Sequence, residues 1–372
     1  MWQAWQKNKK LEKKQKIIIY AVLAAIILLV VAVSGIASYH YFGRNKEAKL
    51  ETANSLDLDL DQTINSDTNK IKAEDRTTLN VLLAGYGGAG HEGGFLSDII
   101  QIAHFDFPKK QLTFISIPRD LYLSAKDGKN YKVNALMSVG MSQGGGVSAG
   151  LELMQKSLSQ ITGLPIKYFI GIDFVGFQRT IGYELGSIEV NVAQVLDDPW
   201  YPIEGAQLDP CGFSPEEIAS MTATYSGFEL ESKFTCRYKH LVYPPGKVKM
   251  EGADALAYVR SRHSSSDYDR SRRQVEVLTA IRDKLFKLEV LKDVPKYYEA
   301  FSQHVTTNLD LASVQYLVPL LINVDEFTIK SINLSPDNVL QNGKSSEGAF
   351  IVIPKAGMND WTQLQALIKS QI

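Results

Sequence analysis

The chain has 372 residues, 45% of them hydrophobic and 22% charged, which is the balance of a folded protein and not of a disordered one. A formal net charge of −1 rules out a polycation built for nucleic acid, so local charge carries more information than the total. The length suits two ordinary domains, or one large domain with extensions.

The first element is the uncharged run Ile17–Tyr39. At about 1.5 Å per residue a helix of that length crosses a hydrocarbon core of about 30 Å. Lys7, Lys9, Lys10, Lys13, Lys14 and Lys16 precede it, against Arg44, Lys46 and Lys49 behind it. The more basic side stays in the cytoplasm, so everything after residue 39 is expected outside the cell membrane. A buried core helix would keep a polar stripe, and only Ser34 and Ser38 interrupt this one. A cleaved signal peptide would have a shorter apolar region of about 7–15 residues and a better cleavage site than Ser34–Ala37. The expected organisation is a cytoplasmic tail (1–16), a transmembrane anchor (17–39), an extracytoplasmic linker (40–78) and a folded region (79–372). Cys211 and Cys236 then lie in an oxidising compartment, where a disulfide between them is expected; the alternative is two free thiols.

The folded region begins with short apolar runs. Asn80–Ala84 reads as a strand ending in a Gly-rich loop, and Asp98–Phe105 with Gln111–Ile117 reads as a hairpin turning around Pro108. Ala149–Ile161 has helical spacing, Tyr168–Ile172 reads as a strand, Phe174–Ile181 as a helical turn or more, and Ile188–Val192 as a strand. Asp197–Lys247 is turn-rich and carries both cysteines. Helices are expected at Ala253–Arg260 and Arg270–Leu288, the latter with Leu278, Ile281 and Leu285 on its apolar stripe. The C-terminal part, 290–372, adds a helix near Leu311–Leu321, a strand near Phe327–Ile332 and a helix near Asp360–Ile368. Strands interleave with helices, so the fold class is α/β or α+β with a mixed central sheet flanked by helices.

Two motifs fail on context. Gly85–Gly90 matches GxGxxG, with Asp106 near the position of a ribose-binding acid. A dinucleotide site needs a helix opening at the loop, and His91–Ser97 leaves no room for one. Gly146–Gly150 matches GxSxG, but no strand runs into it, and it reads as a flexible loop. Of the histidines, none has metal-ligand spacing; His104 reads as a packed or paired core residue, and His91 stands in the Gly-rich loop.

Chemistry concentrates where arginines meet carboxylates at element ends. Pro118 closes the strongest strand, which puts Arg119 and Asp120 at its carboxyl end, a usual ligand position in open α/β sheets. Arg260 and Arg262 end one helix; Asp267 and Arg270 open the next, where Arg270 and Gln274 share a face and Arg272 points elsewhere toward nearby aspartates. Planar, permanently charged guanidinium groups match phosphate oxygens two at a time. Asp98 and Asp267 are candidates to hold a divalent cation beside them.

The succession NVLLAG, SDIIQI, SIPRDLYL, KVNA, EGADALAYVRSR and DYDRSRRQ resembles the LytR–CpsA–Psr family from Leu79 to Leu288, and on through Thr306-Thr307-Asn308-Leu309. The resemblance implies a phosphotransferase that moves glycopolymer from a polyprenyl-pyrophosphate lipid onto peptidoglycan with Mg²⁺ or Mn²⁺. It implies that Asp98 is metal-associated and that Arg119, Arg260, Arg262, Arg270 and Gln274 surround the pyrophosphate. Asp267, Lys132 and Asn134 also match family positions, and a carboxylate such as Asp98 or Asp267 would take the acceptor's proton. The chain departs from the pattern in that Gly87 stands where the family often has an acidic residue, Leu96 stands where it often has arginine, and Asp197–Lys247 with its cysteines looks like an insertion. Rival readings are a non-catalytic lipid-binding scaffold and a lipid pyrophosphatase.

Overall fold

The computed structural model describes residues 77–91, 93–125, 128–261, 267–287, 294–317 and 327–372. The expected tail and anchor, nearly all of the linker, and Arg262 lie outside the described residues, as does the side chain of Asp267.

In chain order the strands are β1 (Thr78–Tyr86), β2 (Ser97–Asp106), β3 (Gln111–Ser116), β4 (Tyr122–Ser124), β5 (Asn130–Lys132), β6 (Tyr168–Asp173), β7 (Ile188–Val192), β8 (Leu196–Pro202), β9 (Tyr238–Tyr243), β10 (Gly246–Met250), β11 (Val305–Thr307), β12 (Thr328–Asn333), β13 (Leu340–Lys344) and β14 (Phe350–Pro354). The helices are α1 (Leu136–Ser142), α2 (Gly146–Thr162), α3 (Phe174–Arg179), α4 (Pro215–Thr224), α5 (Gly227–Glu231), α6 (Gly252–Arg260), α7 (Asp267–Lys287), α8 (Val294–Ser302), α9 (Leu311–Leu317) and α10 (Thr362–Gln371). Two compact units emerge: Ser187–Ala280, and the remainder of the described chain.

The larger unit is built on a six-stranded sheet in the order β11-β6-β1-β2-β3-β12. It is mixed: β1 with β6 and β3 with β12 run parallel, while β1–β2, β2–β3 and β6–β11 run antiparallel. Alternate residues of β1 and β2, among them Leu82, Ala84, Ile100 and Ile102, meet Leu151, Met154, Leu158 and Ile161 of α2 and Leu364 and Ile368 of α10 in one buried cluster. The spacing of the α2 residues is the helical apolar stripe visible in the sequence. Asn308 ties the β6 edge down, its side chain accepting from the Phe169 N–H at 2.9 Å and donating to the Lys167 carbonyl at 2.9 Å.

The segment Gly146–Gly150 is not a loop but the opening turn of α2, and a helix, α1, precedes it. The glycine is there for packing: a Cβ on Gly150 would come within 2.4 Å of the Met137 carbonyl oxygen of α1. The Gly-rich loop after β1 returns directly as antiparallel β2, so no helix opens at it. Its closure is tight, since a Cβ on Gly94 would stand 2.0 Å from the Gly88 carbonyl oxygen.

His104, buried on β2, sits with Nδ1 2.7 Å from Asn80 Oδ1. Asn80 gives its Nδ2–H to the Pro165 carbonyl, so its oxygen faces the ring and Nδ1–H donates. Burial lowers the pKa of His104, with Asp106 opposing and Lys109 reinforcing the shift. A folded-state value below the unfolded one favours the neutral ring. The contribution is therefore complete above the unfolded pKa, near 6.5, and fades as pH falls through it. Between about pH 7.5 and about pH 5.5 the wild type should lose more stability in urea than His104→Gln. Equal losses would remove His104 as the cause.

The smaller unit pairs β7 with β10 and β8 with β9, both antiparallel. The stretch that reads as turns, Asp197–Lys247, consists of the β8–β9 ribbon with α4 and α5 between its strands. Cys211 and Cys236 are joined by a disulfide that closes this excursion. On α7 the buried apolar residues among those described are Val277, Ala280 and Ile281, a stripe rotated from the expected one in that Leu278 is only half-buried.

Candidate functional site

In the larger unit, the β2–β3 hairpin determines who meets whom. Gln101 pairs with Ser116, so Asp98 and Arg119, each three residues beyond that pair, emerge at the same sheet end. Arg119 Nη1 lies 2.5 Å from Asp98 Oδ1, with the two side chains 29% and 45% exposed. Asp120 extends the line: its Oδ1 is 2.7 Å from Lys132 Nζ and its Oδ2 3.6 Å from Arg119 Nε. At 3.6 Å that second contact is no hydrogen bond. Arg119 Nε is accordingly a buried donor with no acceptor among the described residues.

The strap carrying these residues is held by its backbone. The Asn134 N–H donates to the Arg119 carbonyl at 3.1 Å, Val133 to Leu121 at 2.7 Å, and Val352 of β14 to Asp120 at 2.9 Å. Arg119 is thus clamped from the β4–β5 side and from β14, which fixes its Cα before any ligand arrives. The resulting sequence Asp98, Arg119, Asp120, Lys132 alternates in sign and is formally neutral. An anion entering here must displace a carboxylate from a cation or arrive with counter-charge of its own.

In the smaller unit, Arg260 is the last residue of α6, and its guanidinium stands near the Tyr201 hydroxyl. Burial pushes the Tyr201 pKa up, and Arg260 pulls it partly back. Ser261, which stands between Arg260 and Arg262, is pinned at several atoms. Its N–H donates to Ala257 at 3.0 Å, its hydroxyl donates to buried Asp198, and its carbonyl accepts from Arg273 Nη2 at 2.6 Å. Arg273 is 1% exposed and also gives its Nε–H to the Tyr258 carbonyl at 2.8 Å. These carbonyls belong to the end of α6, where no further helical N–H is present to bond them. On α7, Gln274 is buried and Arg270 half-buried; Arg272 is taken up by Asp269 at 2.9 Å and Glu276 at 3.3 Å.

Among the predicted site residues, then, Asp98, Arg119 and Lys132 form one charge line in the larger unit. Arg260, Arg270 and Gln274 belong to the smaller unit. Asp120 and Arg273 were missed as partners. Asp120 carried a readable signal as the residue following Arg119, and Arg273 lay one turn before Val277 on the buried stripe. His91 packs its ring edge-on against Phe174 at 5.3 Å, the role of a loop anchor.

For a divalent cation the donor set is sparse. The one three-ligand group among the described residues is Asp209 with Cys211 and Cys236, and its sulfurs are committed to the disulfide. Asp98, half-exposed and bonded through one oxygen, fits a hard cation that takes one protein carboxylate and fills its shell with phosphate oxygens and water.

The LytR_cpsA_psr family model matches residues 39–355. The polyisoprenyl-teichoic acid–peptidoglycan teichoic acid transferase TagT of Bacillus subtilis is 24% identical over 339 residues, covering 89% of this chain and 88% of its own. The corresponding TagU of Enterococcus faecalis is 23% identical, covering 95% and 97%. The crystal structure of Bacillus subtilis TagV superposes with a TM-score of 0.54 at 20% identity, over 79% of this chain and 97% of that one. With a match across most of its length, the chain belongs to the LytR_cpsA_psr family.

Proposed function

We propose that this protein is a membrane-anchored phosphotransferase that moves a glycopolymer from a polyprenyl-pyrophosphate carrier onto peptidoglycan. The observation that carries the reading is Arg119, fixed at the carboxyl end of β3 with a buried Nε–H that has no acceptor among the described residues and with Asp98 on its Nη1. A fork with one donor lacking an acceptor suits an anionic oxygen. The named activities of the TagT and TagU relatives supply the polymer and acceptor classes. The uncharged run Ile17–Tyr39 supports the anchor and an extracytoplasmic catalytic region.

In this mechanism Arg119 and Lys132 of the larger unit bind the pyrophosphate oxygens; Arg260, Arg262, Arg270 and Gln274 are the further candidates that the family resemblance supplies. An acceptor sugar hydroxyl attacks the phosphorus nearest the glycan, and its proton passes to Asp98 or Asp267. The bond from that phosphorus to the bridging oxygen breaks, and lipid monophosphate leaves with the electron pair. Asp98 would hold Mg²⁺ or Mn²⁺, which would supply charge neutralisation at the phosphates.

The test uses full-length protein in detergent with a synthetic polyprenyl-pyrophosphate oligosaccharide and a peptidoglycan acceptor. Expected is a phosphodiester product that requires acceptor and disappears with EDTA. Glycan phosphate released equally without acceptor would replace this reading by a pyrophosphatase. Lipid binding with no product under any metal would replace it by a scaffold, the reading that the departures at Gly87 and Leu96 favour.

A further inference from the structure

We propose that Trp200, Phe228 and Tyr238 form a binding subsite for an uncharged glycan strand of pyranose units. The assignment of that strand as the transfer acceptor rests on the function proposed above; the subsite itself does not.

The three rings come from three elements of the disulfide-closed excursion. Trp200 of β8 meets Phe228 of α5 at 5.4 Å and 84°, and Tyr238 of β9 at 5.4 Å and 78°, both edge-to-face. In such packing the indole is braced on two sides without being covered. Phe228 remains 51% exposed and Trp200 half-buried. The indole N–H of Trp200 makes no hydrogen bond to any described residue.

Polar groups stand where sugar hydroxyls need them. Phe228 and Glu231 lie three apart on α5 and share a face. Glu231 accepts from the Tyr238 hydroxyl, which orients both groups and, after burial, helps push the tyrosine pKa up to about 12. Tyr238, His240 and Val242 alternate outward along β9, and His240 Nε2 is 2.6 Å from Asp197 Oδ1 on the paired strand. The apolar C–H face of a pyranose packs on aromatic rings, while its hydroxyls donate to carboxylates and accept from an indole N–H. Val242, exposed on the same strand face beyond His240, extends the surface past one ring's width, so the ligand is a chain of such units.

Charge selects between the two polymers of the reaction. Val195–Tyr243 contains eight Asp and Glu against three Lys and Arg, a net charge of −5. Such a surface repels a phosphate-rich polymer and accepts a neutral glycan. The platform is held firm by the Cys211–Cys236 disulfide, by the Ser214–Glu217 capping box of α4, and by Arg237 stacked 3.7 Å over Phe234.

The test is calorimetric titration of the full-length protein in detergent with N-acetylglucosamine hexamer, and separately with poly(glycerol phosphate). Wild type should bind the hexamer and not the phosphate polymer. Trp200→Ala should weaken hexamer binding roughly tenfold, and Phe228→Ala about threefold. Phe228, being half in solvent, serves as the variant that leaves the fold intact should Trp200→Ala prove unstable. The proposal fails if the hexamer does not bind, if both variants bind it like wild type, or if the phosphate polymer binds better. It also fails if the rings prove to hold a second copy, seen as a concentration-dependent dimer that Phe228→Ala abolishes. Binding is read without turnover, so a negative here leaves the transferase reading standing, and a failed transfer assay leaves the hexamer result standing.

Discussion

Arg119→Ala is expected to lower transfer by about 10³-fold while leaving the fold in place, as judged by turnover and by a urea melt on the same preparation. The size of the effect follows from what the side chain offers. Its charge and fork stand at the carboxyl end of β3, with Nε–H lacking any described acceptor. Charge developing on a transferring phosphoryl group draws most on donors already fixed in place, and the strap around Arg119 is fixed by backbone bonds that the substitution leaves alone. Stability should change by no more than about 1 kcal/mol, since the Arg119–Asp98 pair is partly in solvent and such pairs contribute little. Arg119→Lys should recover the charge but not the planar fork, and so only about a tenth of the lost activity. Full activity in Arg119→Ala would move the phosphate site elsewhere.

The hairpin that creates this meeting was legible because its signals are local. Two apolar runs separated by Phe107–Lys110 give both the turn and, by counting outward from it, the register that brings Asp98 toward Arg119. Asp120's contact with Lys132 was not legible in the same way. It depends on β4 and β5, strands of three residues each, too short for any period to show. The β8–β9 ribbon hid for a different reason: Pro199 and Pro202 lie inside β8, and proline argues against a strand unless the ladder is irregular there, as it is between Asp198 and Tyr201. Gly146–Gly150 looked like a loop because glycine propensity was weighed without the close approach of α1 that requires it. The β13–β14 hairpin, whose member Val352 bonds Asp120, went unseen in a stretch of mixed polarity.

Arg273 shows the limit of reading chemistry from residue type. It stands in the same arginine-rich run as Arg270 and Arg272, yet it is enclosed in the smaller unit and gives N–H donors to the Tyr258 and Ser261 carbonyls. Burial lowers its pKa from the ordinary arginine value, but a guanidinium stays charged throughout the working range of pH. The cation therefore sits at the carboxyl end of α6, where the helix dipole and unsatisfied carbonyls favour it. Arg273→Met keeps much of the volume and removes the donors, leaving two buried carbonyls without them. The expected cost is about 3–5 kcal/mol, read as faster amide hydrogen exchange along α6 and α7. Arg273→Lys should rescue little, because one ammonium cannot span both carbonyls in the geometry of the fork. On the function proposed above, the same change should weaken pyrophosphate binding through Arg260, the residue adjoining Ser261. Protection lost by less than about 1 kcal/mol would mean that Asp198 and the α6 backbone bonds hold that turn without Arg273.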